Sequence, residues 1–501
     1  MSGRDAVLGI GGPLAAAPSE ALIRDAFGAE LAQQRALAAG VGLADLAHAV
    51  ELIESGAVSA GDGACLLRGL LALEAQPADF TLDPALGDLY TNREAWLGAH
   101  GYAAGLLGTG RARREAITTA YALAARKRTL ALSGALIDAA RALVEVAERH
   151  VRSVMPDYTY LQAGQPTSFG HYLLGFAYPI VRDLERARAS FAHFDRSPAG
   201  VGSTNGSTFA LDRERIAASL GFAGIVTHAR DAMWQADGAI EALSVACAAS
   251  VNLDRLAEDL AIFATAEFGF VALADSHSRA SKIMPQKKNP FALGYVRAVA
   301  NRTIGVAAGI AAAARTPSGQ MDNRLDAYGE VPAALERVAG AAALMGAVVR
   351  DLTFDAAAAR AALARGHAYA SDLAELVMRE AGIDYRSAHE LVARAVRERE
   401  RAPDGNGRSL AAALDAGARD QLGRPFEITP AALDAALDPA RALERRAGAG
   451  GAAPDAVLAM LADVGERVAA FAAGDERTAE RIARAERALL ERARALAGAS
   501  G

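Results

Sequence analysis

Three alanine-rich stretches of this chain, 242–253, 303–314 and 338–349, carry no charged residue, each 12 residues long and bounded by Arg, Asp or Glu. Twelve residues are too few to span a bilayer but suit a helix buried on all sides. Several such helices in one chain predict a bundle with a dry centre. Sustained period-two alternation is almost absent and no strand–helix–strand rhythm is found, so the expected class is all-α. Alanine abundance supports this: hydrophobic residues make up 52% but aromatics only 6%, so the interior has to be aliphatic.

The chain has 501 residues, enough for a large buried core and several domains. The expected division is an N-terminal helical part (1–107), a central bundle (108–353) and a helical C-terminal part (354–501). In the first part, residues 22–73 read as amphipathic, with turns at Gly40–Gly42 and Gly61–Gly63. In the last, residues 368–397 read as two amphipathic helices separated by Gly382 as a stop. Stretches 402–408 and 446–455 read as loops. A final helix is expected over 475–497, an addition after about Gly465. Ile482, Leu489 and Leu496 form a heptad seam on it, read as packing on its own domain.

Charge and cysteine content exclude several classes of function. Lys and Arg number 53 against 59 Asp and Glu, a net charge of −6, with no basic stripe or tail for nucleic acid. Cys65 and Cys247 are the only cysteines, so neither a disulfide framework nor a Cys-x-x-Cys metal site is expected. Met1-Ser-Gly-Arg-Asp opens no signal-peptide pattern, and the expected location is cytoplasmic, with no membrane partner. Gly108-Thr109-Gly110 lacks the preceding strand and third glycine of a dinucleotide fingerprint.

Residues 276–290, Ser-His-Ser-Arg-Ala-Ser-Lys-Ile-Met-Pro-Gln-Lys-Lys-Asn-Pro, are different. Composition alone describes a solvated surface loop. The chemistry describes an anion-binding loop: Ser281 among backbone N–H groups, Lys287 as a fixed cation, Asn289 as a donor. Such a loop can stabilise a developing carboxylate dianion while a proton is abstracted.

Ala280 to Pro290 resembles the GSSxMPxKxNP signature of the fumarase/aspartase superfamily, and its Gln-Lys-Lys-Asn-Pro form is similar to argininosuccinate lyases. Residues 156–174 resemble that family's PGYTHLQRAQPxxFxHYLL, and Thr109-Gly-Arg-Ala-Arg-Arg-Glu115 resembles TGRSRND. The likeness continues at Arg255–Leu260, Glu267–Phe270 and Leu437–Arg441, in order along the chain. The resemblance implies a three-domain all-helical fold with a central long-helix bundle. It implies a homotetramer whose active sites each draw on three subunits, acting on a small dicarboxylate or amino-acid-like substrate. The implied reaction is anti elimination of fumarate with cleavage of a C–N bond, without cofactor or metal. By position, Ser281 is the implied base, with Lys287 and Asn289 stabilising the aci-carboxylate. Arg111, Arg114, Thr159, Gln162, Asn92, Tyr90, Lys282 and Met284 are the implied substrate-binding positions.

Departures from the family pattern gather at the chemistry. Tyr160 replaces the histidine of YTH, and Gly294 replaces the glutamate that pairs with it; losing both avoids an unpaired buried charge. Tyr90 stands at the histidine of DIH. Ala112, Arg114 and Glu115 replace Ser, Asn and Asp of TGRSRND. Lys282 replaces the second serine of the signature, and Phe291 the Asp after its Asn-Pro. Against YNRDLQEDKE, the Tyr, Gln and Lys that grip argininosuccinate fall on Asp322, Ala327 and Glu330.

Three functions are compatible with this pattern. One is a divergent lyase, or its reverse, acting on an N-substituted aspartate other than argininosuccinate. There Tyr160 is either a proton partner, its phenol lowered by Arg111, Arg114 or Lys282, or a space-filler over Gly294; His277 is a further candidate. The second is a lyase-fold protein without catalysis, structural or partner-binding. The third is argininosuccinate lyase itself, ranked last.

Overall fold

The computed structural model describes residues 7–317, 319–320, 322–400 and 409–498. The predicted loop 402–408 lies outside them. The N-terminal helices are α1 (Ala38–Glu54), α2 (Ala60–Glu74) and α3 (Leu89–Ala99), followed by the long α4 (Arg113–Arg149). A hairpin of β1 (Val154–Thr159) and β2 (Gln162–Ser168) leads into α5 (Phe169–Phe194) and α6 (Asp237–Phe263). Short strands β3 (Val271–Ala272), β4 (Arg279–Ala280) and β5 (Lys288–Asn289) precede α7 (Phe291–Ala313). Then come α8 (Ala327–Asp351) and β6 (Thr353–Phe354), the smaller helices α9 (Ala370–Ala381), α10 (Tyr385–Glu400) and α11 (Leu410–Leu422), and finally α12 (Pro454–Gly498).

Five helices form the bundle, and side-chain contacts give their directions. Tyr328 near the start of α8 meets Thr118 near the start of α4 at 3.1 Å, while Arg350 at its end reaches the Asp138 carbonyl at 3.0 Å. The two helices therefore run parallel. Helix α5 returns: Phe169 packs edge-on to His150, 5.3 Å between ring centroids, and Phe194 lies 5.9 Å from Tyr121. Helix α6 runs up again to Phe263, 5.5 Å from Tyr172. Helix α7 comes back down beside it, with Arg297 on Glu258 at 2.9 Å and Cys247 on the Thr303 carbonyl at 3.7 Å. Small residues set the spacing. A Cβ on Gly346 would meet Ala139 Cα at 3.2 Å, so α4 and α8 approach almost backbone to backbone.

Helix ends follow the sequence. Ser59 caps α2, Asp88 caps α3 and Ser168 caps α5, each accepting a backbone N–H two or three residues into the helix. Gly382 ends α9 in the left-handed region at φ 62°, as expected of a helix stop. A second core of Leu373, Val377, Leu391, Leu414 and Phe426 joins α9, α10 and α11.

Several expectations need correction. Gly40 and Gly42 do not make a turn; they lie inside α1, where a Cβ at 40 would sit 3.0 Å from Ala120 backbone and one at 42 would overlap Glu74. Gly61 and Gly63 lie in the first turns of α2. The hairpin β1–β2 was not foreseen. Its strands are buried at the base and exposed at the tip, so neither shows a period of two. The terminal helix is not a separate addition over 475–497 but one 45-residue helix from Pro454, whose Val457, Leu461, Val464, Leu489 and Ala493 join the main core. Leu489 is buried and Ile482 and Leu496 half-buried against the same chain, which is the packing expected of that seam.

The uncharged stretches differ in burial. Residues 338–349 are mostly core, but 303–314 are covered on one side only, leaving Ile304 49% exposed. Helix α7 is an outer helix of the bundle, so an apolar face that needs cover finds none within one chain. Leu22–Glu54 and Ala327–Asp351 are long and apolar enough to cross a membrane, yet 67% and 56% of their most apolar windows are buried inside the fold.

Candidate active site

The motif residues fall into three surface patches. The first is the loop between β4 and β5, where Arg279 pairs with Asn289 and Ala280 with Lys288. Ser281 N–H donates to the Lys287 carbonyl at 3.0 Å, and Lys287 N–H to the Met284 carbonyl at 3.1 Å, so the loop closes on itself. The Ser281 hydroxyl oxygen accepts from the N–H groups of Ile283 (3.3 Å) and Met284 (3.0 Å). Two N–H dipoles aimed at one oxygen favour its ionised form, the electrostatics a serine base needs. Asn289 is anchored by its side-chain N–H on the Arg279 carbonyl at 3.1 Å. Lys288 is held by Asp275 at 2.6 Å, whereas Lys282 and Lys287 are exposed and form no ion pair among the described residues. Met284 is exposed on the same loop. His277 is drawn away to Asp351, 2.9 Å off, at the end of α8.

The second patch is the hairpin tip. Tyr160 and Leu161 form its two-residue turn with φ of 53° and 56°, a left-handed pair typical of tight hairpins and costly for bulky side chains. The turn holds the Tyr160 ring fully in solvent, between exposed Thr159 and Gln162. Gly294 has open space where a side chain would be, and Tyr160 does not fill it: within one chain the space-filler role fails.

The third patch surrounds the start of α4. Arg111 is buried, with Nη2 on Asp45 at 2.7 Å and its guanidinium 5.5 Å from the Tyr90 ring centroid. Arg93 grips the other oxygen of Asp45 at 2.9 Å, so Arg111 serves a sealed ion cluster rather than an open site. Burial pushes the Tyr90 phenol well above its ordinary pKa. Asn92 accepts from the Asp83 N–H at 2.7 Å and donates to the Asp83 and Asp88 carbonyls, pinning the turn before α3. Glu115 is buried and accepts from Gly200 N–H (2.7 Å) and Gly202 N–H (2.6 Å); burial raises its pKa against that pull. Arg114 Nη1 and Arg111 Nε are both buried without a hydrogen-bond partner in this patch, but Arg114, unlike Arg111, has no ion-pair partner among the described residues.

Distance along α4 decides which patches can meet. Its 37 residues span about 55 Å, with the third patch at the start and the hairpin just beyond the end. The Ser281 loop shares the hairpin's end of the bundle, since β3 pairs with β6 immediately after α8 and His277 holds Asp351. One chain therefore cannot bring Arg114 to Tyr160 or Ser281. No hydrogen bond or ion pair joins the hairpin tip to the Ser281 loop among the described residues. Among the described residues, clefts of about 520, 260 and 230 Å³ lie under α12, and one of about 360 Å³ lies beside the base of the hairpin, lined by Pro166, Leu363 and Tyr369.

Sequence inspection missed the groups that hold the third patch together: Asp45, His48 and Arg324. For Asp45 and His48 the available signal was a polar group set among the apolar residues of α1, since each had to be buried and paired.

Comparison with known proteins locates this arrangement. Residues 89–305, which contain the motif positions of all three patches, match the lyase family model. The chain is 34% identical over 393 residues to argininosuccinate lyase 1 of Mesorhizobium japonicum, covering 77% of this chain and 83% of that protein. It superposes on EDDS lyase in complex with formate with TM-score 0.86, at 27% identity and 96% coverage of both chains. An EDDS lyase variant with bound fumarate gives TM-score 0.85 at 28% identity, again with 96% coverage of each. The class II fumarase of Schistosoma mansoni shares the fold, with TM-score 0.66 and 13% identity over 81% of this chain and 90% of that one.

Proposed function

This chain belongs to the argininosuccinate lyase family of the fumarase/aspartase superfamily, and on that premise we propose that it is a carbon–nitrogen lyase for an N-substituted aspartate other than argininosuccinate. The Ser281 oxygen takes a proton from the substrate Cβ. The electron pair left behind forms the double bond of fumarate as the bond from Cα to nitrogen breaks. Lys287 and Asn289 hold the carboxylate whose charge grows in between, and the nitrogen leaves with a proton from the Tyr160 phenol. In reverse, an amine adds to fumarate.

The observation that carries the proposal is the Ser281 loop: a half-buried serine whose oxygen faces two N–H groups, beside an exposed Lys287 with no ion pair among the described residues. A change of substrate follows from Asp322, Ala327 and Glu330, which replace the residues that grip argininosuccinate in the family. A homotetramer with shared sites accounts for the 55 Å separation and for the bare apolar face of α7.

The test is a fumarate assay by ultraviolet absorbance, with argininosuccinate and a panel of N-substituted aspartates, in both directions. Turnover of a panel member but not of argininosuccinate is expected. Ser281→Ala should lower kcat at least about a hundredfold, and Tyr160→Phe should lower it comparably. Robust turnover of argininosuccinate would overturn the altered substrate. No turnover of any compound, in either direction, would leave a lyase fold without catalysis.

A further inference from the structure

The cleft beside the base of the hairpin takes no part in the elimination chemistry. It holds about 360 Å³, within the range of small-molecule sites, and separate parts of the chain meet in it. Pro166 comes from β2, Arg360 and Leu363 from the helix Ala356–Arg365, Arg399 from the end of α10 and Ala442 from the short helix Pro439–Glu444. Pro166, Leu363 and Ala442 are buried and give the cleft an apolar wall. Arg360 and Arg399 are exposed, and neither forms an ion pair among the described residues. Tyr369 lines the same cleft, with its hydroxyl 2.9 Å from His367 Nδ1. Burial raises the Tyr369 pKa against the opposing pull of Arg399, whose charge is felt at the phenol.

Among the described residues the cleft is lined by one acid, Asp438, and that acid is engaged. One of its oxygens accepts the Ala440 N–H at 2.9 Å, and the other lies 3.8 Å from Arg441. Two guanidinium groups without counter-charge thus share the cleft with an apolar wall. The planar fork of a guanidinium matches the two oxygens of a carboxylate, and the wall suits a hydrocarbon body attached to it. The same junction is where the hairpin leans on the C-terminal helices. A Cβ on Gly366 would overlap the Ala163 Cβ, and the Gln165 side chain donates to Ser371 Oγ at 3.3 Å.

We propose that this cleft is an effector site for a small monocarboxylate with an apolar body, an aryl or short alkyl acid, and that its occupation ties the hairpin to the C-terminal helices. Arg360 and Arg399 take the carboxylate, and Pro166 and Leu363 take the hydrocarbon. A ligand held this way touches β2 and α10 together. It favours the docked hairpin by as much as its affinity for the docked arrangement exceeds that for the undocked one. Tyr160 stands at the tip of that hairpin, so the ligand acts on the reaction without touching the reacting atoms.

The experiment titrates the full-length protein calorimetrically with phenylacetate and hexanoate and with the matching alcohols, 2-phenylethanol and hexanol. Saturating fumarate is present throughout to occupy the elimination site. The acids should bind at least about tenfold more tightly than their alcohols. Arg360→Gln with Arg399→Gln should weaken the acids by at least about tenfold and leave the alcohols unchanged, and the double Lys variant should regain part of the loss. Ala364→Phe, which fills the cleft and keeps both arginines, should block binding as well. Hydrogen exchange of residues 154–168 reads the coupling: phenylacetate should slow it about threefold or more in the wild type and not in the double Gln variant. Neither readout needs turnover, so the outcome is independent of the lyase activity. Equal affinity for acids and alcohols, or acid binding that the double Gln variant and Ala364→Phe leave intact, would overturn the site. Binding that leaves exchange in the hairpin unchanged would overturn its role as an effector.

Discussion

Burial decides the protonation of single groups in this chain, and His48 is the plainest instance. Its Nε2 lies 3.0 Å from the Thr109 carbonyl, so that nitrogen carries the proton of a neutral ring. Burial first, then the nearby Arg111, holds its pKa well below the ordinary histidine value. The sign follows from linkage. Below about pH 6.5 the unfolded chain binds a proton that the folded ring refuses, so stability falls as the pH drops. One such proton contributes up to about 1.4 kcal/mol per pH unit. Thermal unfolding followed between about pH 5 and 7 should show this acid-side loss, and His48→Gln should reduce its slope; an unchanged slope would refute the assignment. At this scale the sequence was only partly informative. Ser281, Lys287 and Asn289 were legible because they are neighbours in one loop. Arg111 was not: its partner Asp45 is 66 residues away, and nothing local distinguishes a guanidinium bound in a sealed cluster from one facing a substrate.

Glycines separate two roles at the level of elements. Those at 40 and 61 look alike in sequence, and both lie in helices. A Cβ at 40 meets the Ala120 Cα and carbonyl at 3.0 Å, where α1 crosses α4, while one at 61 meets nothing within 4 Å. Gly40→Leu should therefore destabilise by at least about 1–3 kcal/mol through overpacking. Gly61→Ala should be neutral or stabilise by up to about 1 kcal/mol through helix propensity. Chemical denaturation of both variants reads the contrast, and equal effects would mean the α1–α4 approach is looser than described. Helices were legible from Gly382, from amphipathic spacing and from their uncharged stretches. The β1–β2 hairpin was not, because Thr159-Tyr160-Leu161-Gln162 contains none of the usual turn residues. Tertiary packing one rung below the tip, with Tyr158 against Phe263 and Phe270, holds that turn in place.

The whole molecule poses the question of how patches 55 Å apart serve one reaction. If each site draws the Arg114 patch from one copy and the hairpin from another, defects in the two patches should complement. Arg114→Gln and Tyr160→Phe proteins, assayed at substrate concentrations where each alone keeps about a tenth of wild-type activity or less, should regain roughly a quarter of it after co-refolding in equal amounts, provided the assembly mixes freely. No recovery, with mixed oligomers confirmed by native mass spectrometry, would argue against shared sites. Periodicity, uncharged helices and collinear motifs, read from the sequence by itself, determined the all-helical class, the family and the serine loop, because these depend on residues close together in the chain. Only the tertiary structure decided which cations are free, how the tip of the hairpin presents Tyr160, and that the motifs lie at opposite ends of the bundle. Those properties depend on pairings between residues far apart in sequence and on the rigid length of α4, neither of which a local pattern encodes.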